Sequence, residues 1–132
     1  MKNYNLRGNH RIVSQLNKIN DYKMGGITMK NININEQILP LGSVIITREG
    51  HVPLMIVSRG SLYEEEDKIG YFDYCALVYL MGLIDDHEFV FFNKEDIESV
   101  LFIGYITKEE EDFAKKYDEL IAESGYDKLH II

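Results

Sequence analysis

Apolar and polar residues alternate with one period through the middle of the chain and another near its end. Between residues 43 and 105 apolar side chains recur at every second position or in short runs, the mark of strands. The first strand should begin near Ser43, because Pro40 cannot donate to a ladder and Gly42 permits a bend. "REG" (48–50) reads as a tight turn in which Gly50 supplies a positive φ, and "VPLMIVSRG" (52–60) is the returning strand. "SLYEEEDKIG" (61–70) reads as a solvated loop around four consecutive acids, Glu64 to Asp67. "YFDYCALVYL" (71–80) is a third strand, with Phe72, Tyr74, Ala76 and Val78 on one side and Tyr71, Asp73, Cys75, Leu77 and Tyr79 on the other. Both sides are largely apolar, so either both are covered or one is an aromatic contact surface. "MGLIDDH" (81–87) is a loop, "EFVFFN" (88–93) a fourth strand and "VLFIGY" (100–105) a fifth.

Between the last two strands lie the acids Glu95, Asp96 and Glu98. Asn93 stands where an N-cap belongs and Asp96 follows three residues later, a variant capping box that accounts for these carboxylates without a substrate. Acids in a first turn also oppose the positive end of the helix dipole. Thr107 and Glu110 form a second capping box at the head of a helix. Phe113, Tyr117, Leu120 and Ile121 give that helix an apolar stripe, and Gly125 ends it. The closing "YDKLHII" (126–132) adds a short strand or stays free. The fold class that follows is α+β: about five antiparallel strands, flat or curled into a small barrel, with a short capping helix and a C-terminal helix.

Residues 1–37 form a separate, basic segment, followed by a single domain over 38–125 and a tail over 126–132. Ile12, Leu16 and Ile19 stand at helical spacing, but the surrounding text is polar and Asn-rich, so the segment reads as a disordered tail or a short basic amphipathic helix. A third reading comes from the code. "MGGITM" can be encoded with GGAGG across Gly25 and Gly26, as in a translated ribosome-binding site, which puts the native start at Met29.

A chain of 132 residues suits one domain with a core of its own. Its formal net charge of −8 is unevenly placed. Residues 1–40 carry Lys2, Arg7, Arg11, Lys18, Lys23 and Lys30 against Asp21 and Glu36; the remainder carries eight cations against twenty acids. Such a body repels phosphate backbones, so nucleic acid is not a partner and a basic protein surface is the better match. One cysteine, Cys75, allows no internal disulfide and fits a reducing compartment. No apolar run is long enough to span a membrane, and no signal-peptide core opens the chain.

Chemistry is scarce. "DDHE" (85–88) has metal-binding residue types, but neighbours in an extended segment point to opposite faces, so two ligands at most converge. Cys75 lies in an apolar strand where a thiol is inert. His10, His51, His87 and His130 are scattered, and no phosphate-binding glycine motif exists. The reading is a non-enzyme without metal or cofactor.

"LPLGSVIIT", "LMIVSRG", "YFDYCALVY" and "FFNKEDIESVLFIGY", in that order, resemble the small Firmicutes proteins grouped as domain of unknown function 4176, over roughly residues 38–116. That family has Tyr-Pro-Glu-Gly after the third strand, where this chain has Tyr79, Leu80, Met81 and Gly82. The resemblance implies a cytoplasmic accessory factor for type VII secretion of LXG toxins: an adaptor or chaperone, or else an immunity protein. It implies no catalytic residue. Matching residues that would face a partner are Arg59, Tyr71, Asp73, Tyr74, Phe92, Asn93 and Asp96. With Tyr79 added, the expected anchors are Arg59, Tyr71, Asp73, Tyr74, Tyr79 and Phe92, since Tyr and Arg are favoured at interfaces.

Overall fold

The computed structural model describes residues 36–85 and 88–131, together with four short strands nearer the N-terminus. Those four are β1 (Lys18–Ile19), β2 (Tyr22–Met24), β3 (Ile27–Met29) and β4 (Ile32–Asn33); β1 pairs with β4 and β2 with β3, both antiparallel. Ile19 is therefore extended rather than helical, and Ile12 and Leu16 lie outside the described residues.

The body is an open sheet. Its strands are β5 (Val44–Thr47), β6 (Leu54–Glu65), β7 (Lys68–Val78), β8 (Val90–Phe92), β9 (Ile97–Phe102) and β10 (Asp127–Lys128). From one edge the order is β9, β5, β6, β7, and the far side of β7 is shared by two short strands. β8 pairs antiparallel with Tyr74–Ala76, and β10 pairs parallel with Gly70 and Tyr71. Among the described strands nothing covers the outer edge of β9, so the sheet does not close into a barrel. The helix α1 (Lys108–Ser124) leads from the β9 edge to β10 on the opposite one. Thr107 caps it by accepting from the Glu110 amide, and Gly125 ends it at φ +76°, as the boxes in the sequence predict.

Three local expectations are corrected. The acidic run Glu64–Asp67 is not a loop but the tip of a long hairpin: Glu65 pairs with Lys68 across a two-residue turn. Apolar residues at Leu62, Tyr63 and Ile69 extend both strands past the point where the charges suggest a break. The turn forces Glu66 into the left-handed region at φ +55°, a conformation that L side chains adopt at a cost of about 1–2 kcal/mol. Replacing Glu66 by Gly should raise stability by about 1 kcal/mol, read as a higher midpoint of thermal unfolding. Second, Gly50 is not in the left-handed region; the β5–β6 turn spans residues 48–53, and a Cβ at position 50 would fall 2.7 Å from Thr47 Oγ1. Third, Leu120 faces solvent, while Tyr117 is buried and Phe113 and Ile121 are half-buried. The buried stripe of α1 thus follows i, i+4, i+8.

The core unites both ends of the chain segment 38–131. Tyr74 and Phe92 stack at 5.3 Å, and Tyr63, Phe72 and Phe91 form a second ring cluster with centroids 5.0–5.9 Å apart. Ile38, Leu39, Ile45, Ile56, Ile97 and Ile103 fill the space among them. Ser43 pins the segment after β9: its hydroxyl donates to the Pro40 carbonyl and accepts from the Gly104 amide. At this crossing a Cβ on residue 104 would fall inside the van der Waals surface of the Leu41 carbonyl oxygen. Gly104→Ala should therefore cost about 2–3 kcal/mol, measurable as a lower urea midpoint, because backbone rather than a flexible side chain must yield.

Candidate functional site

The densest polar cluster lies where the edge of β7 passes from β8 to β10. Between the two strands a gap in the ladder leaves main-chain groups to be satisfied by side chains. Asn93 bridges it: its Oδ1 accepts from the Asp73 amide at 3.0 Å, and its Nδ2 donates to the Leu129 carbonyl at 2.7 Å. Leu129 in turn donates its amide to the Tyr71 carbonyl at 2.8 Å. Asn93 also opens the short 3-10 turn Lys94–Asp96, and Asp96 reaches back to accept from the Asn93 amide at 2.9 Å. The return bond from Asp96 read from the sequence is present, whereas the Asn93 side chain links β7 to the residue after β10.

Asp73 is the centre of this junction and is 1% exposed. Its Oδ1 accepts from the Tyr117 hydroxyl at 2.9 Å. Its Oδ2 accepts from the Lys94 amide at 3.0 Å and lies 3.1 Å from Lys128 Nζ. Lys128 makes a second ion pair with Glu95 at 2.9 Å. Burial works against the ammonium of Lys128, but the Asp73 and Glu95 carboxylates outweigh it and hold its pKa above the ordinary lysine value. Burial, and then the charge of Asp73, push Tyr117 well above the usual phenol range. Lys94 is a buried cation whose Nζ donates to the Glu36 carbonyl at 3.1 Å and lies over the Tyr117 ring at 5.3 Å. Sequence reasoning missed Lys94, Tyr117 and Lys128; only a helix stripe that contains a tyrosine hinted at a polar contact beneath it.

Both oxygens of the Asp73 carboxylate are engaged by the protein's own helix, turn and tail, through Tyr117, Lys94 and Lys128. Among the described residues no three His, Cys, Asp or Glu side chains gather closely enough to hold a metal ion. Asp86 and His87 of the "DDHE" stretch lie outside the described residues. Burial pushes the Cys75 thiol from its ordinary value to about 12, which keeps it un-ionised at neutral pH and a poor nucleophile.

The expected anchors divide sharply. Tyr74 and Phe92 are wholly buried at 0% exposure, so a partner reaches them only if the fold opens. The Tyr74 hydroxyl accepts from the Leu39 amide at 2.8 Å. Arg59 is largely buried: it pairs with Glu110, donates to the Leu39 carbonyl and stacks on Phe113 at 4.3 Å. Tyr71 is half-buried beside the junction, and burial followed by the charge of Asp73 raises its pKa. Asp73 belongs to the junction itself. Tyr79 alone of the six is well exposed, at 54%.

Exposed apolar side chains gather in two other places. One is the turn after β7, Tyr79, Leu80, Met81, Leu83 and Ile84, with Val52 exposed on the neighbouring β5–β6 turn. The other lies at the far end of β9, where Leu101, Phe102 and Tyr105 are exposed close to Leu41. Among the described residues no helix is long and apolar enough to cross a membrane.

An open antiparallel sheet with one C-terminal helix, locked by a buried polar junction, defines a small α+β protein. The chain belongs to the family Domain of unknown function (DUF4176), whose profile matches residues 38–113, more than half of its length. No curated protein and no solved structure matches it. The matched region runs from Ile38, at the start of the core, into the first half of α1, and so contains Asp73, Asn93 and Lys94 but neither Tyr117 nor Lys128. The Leu80–Met81 pair, where the chain departs from the family's Pro-Glu, falls on the exposed turn after β7.

Proposed function

We infer that the chain is a non-catalytic, cytoplasmic protein-binding factor, an adaptor or chaperone linked to type VII secretion of a toxin. Membership of the family over residues 38–113 supports this reading, since the resemblance implies proteins that often lie in gene clusters for type VII secretion and its LXG toxins. The arrangement of side chains supports it. The buried ionisable groups hold strands and helix together, and exposed apolar side chains gather at two rims, after β7 and at the end of β9. Exposed apolar surface of that kind is the usual mark of a binding face.

A second reading, an immunity protein, draws on the acid-rich body: eight cations against twenty acids beyond residue 40 suit a blocker of a basic toxin domain. A third is a small enzyme of unknown reaction. Co-expression with an LXG toxin of the same genome separates them. Co-purification with the toxin's N-terminal targeting region, with export lost when this chain is deleted, supports the adaptor. Protection from the toxin domain with export unchanged supports immunity, and failure to bind either region removes both.

A further inference from the structure

We propose that the turn Tyr79–Ile84, with Val52 beside it, is a docking knob that seats in an apolar groove of a partner protein whose rim carries lysine and arginine. The proposal rests on the protein-binding reading and names the surface and the chemistry of its occupant.

The turn is a built feature. The Gly82 amide donates to the Val78 carbonyl at 2.9 Å, closing the chain on itself directly after β7. The Tyr79 amide donates to the Pro53 carbonyl at 2.9 Å, which ties the turn to the β5–β6 connection and places Val52 next to it. Five of its six residues are large and apolar, each more than half exposed, and Leu80 is 85% exposed. Burial would remove several hundred Å² of apolar surface from water, on the order of one side of a standard protein interface.

Charge selects the occupant. The two connections that make up this end of the sheet, 48–53 and 79–85, and residue 88 beyond them carry the acids Glu49, Asp85 and Glu88; their one Lys or Arg is Arg48, which is half-buried and donates its Nε to the Glu95 carbonyl. Glu49, Asp85 and Glu88 are exposed, so the knob stands in an anionic collar. An anionic lipid surface would meet that collar with like charge. A second copy of the chain would set one collar against another. A groove with a cationic rim pairs with the collar while its floor takes Leu80 and Met81. At the apolar end of β9, two register shifts between β5 and β9 distort that edge in the way that discourages strand addition.

The test uses the full chain against an LXG toxin of the same genome, with the targeting region and the toxin domain presented separately and affinities measured by calorimetry at low salt and about 0.3 M salt. Wild-type protein should bind one of them. The double substitution Leu80→Asp/Met81→Asp should weaken that binding about tenfold or more. Glu49→Lys/Glu88→Lys should weaken it at low salt, with the difference shrinking at high salt. Tyr105→Asp, at the β9 end, should leave it unchanged. All five positions are exposed, and circular dichroism checks that each variant keeps its fold. Wild-type affinity in the Leu80/Met81 variant overturns the knob while the adaptor reading stands; wild-type protein that binds neither region overturns both. Dimerisation abolished by the same variant, or binding to phosphatidylglycerol vesicles through this turn, overturns the choice of a cationic protein groove.

Discussion

Asp73→Ala is expected to destabilise the protein by about 3–5 kcal/mol, measured by urea unfolding at neutral pH. The substitution removes the shared acceptor of the Tyr117 hydroxyl, the Lys94 amide and the Lys128 ammonium; the first two are left in a buried site, while Lys128 keeps Glu95. A domain of this size has about 5–15 kcal/mol of stability in total, so the variant should reach its unfolding midpoint at modest urea. Two companions divide the effect. Tyr117→Phe deletes one donor and should cost only about 1 kcal/mol. Asp73→Asn keeps an oxygen for the Lys94 amide but removes the charge facing Lys128, and should fall between them. A loss below about 1 kcal/mol for Asp73→Ala would mean that water enters the junction and replaces the carboxylate.

The second large effect is alkaline. Folded Cys75 holds its proton up to about 12, whereas the thiol of an unfolded chain ionises from an ordinary value near 9. Above pH 9 the unfolded state therefore binds fewer protons than the native one, and stability falls as pH rises. The thiol alone should remove about 2–3 kcal/mol by pH 11. Tyr74, Tyr117 and Tyr71, all raised chiefly by burial, act in the same direction above about pH 10. So does Lys128, whose raised value reflects pairing that is present at neutral pH and disappears as the ammonium deprotonates. Urea unfolding at pH 8, 9.5 and 11 reads the slope. Cys75→Ala, less stable at pH 8 because of the space it leaves, should lose less between pH 8 and 11 than the wild-type protein.

Short-range signals carried most of the fold. Thr107 with Glu110, Asn93 with Asp96 and Gly125 mark their turns in the sequence because a cap depends on residues three or four apart. Strand alternation over 71–78 likewise placed β7, whose two covered sides explain why both sets of alternating residues are apolar. The hairpin tip was hidden because four like charges outweigh two strands in any local reading, although pairing of Glu65 with Lys68 and the apolar Leu62, Tyr63 and Ile69 carry the strands to the end. The polar junction was illegible for a different reason. Asp73, Asn93, Tyr117 and Lys128 come from four separate elements, and only the docking of α1 and β10 on β7 brings them together. Arg59, Tyr74 and Phe92 have the residue types of interface anchors, but the same types also fill cores and buried ion pairs. Exposure, not identity, distinguishes Tyr79 from them.

The two-residue turn at Glu66 and Asp67 has a kinetic meaning. β6 and β7 are the longest strands and also those whose pairing closes the shortest loop, so their ribbon forms at the lowest entropic cost of any contact in the sheet. Val44 must find Phe102, and Tyr71 must find Lys128, across long intervening stretches of chain. Assembly is accordingly expected to begin at the middle of the sequence and spread outward to both rims, with the parallel strand and its helix joining last.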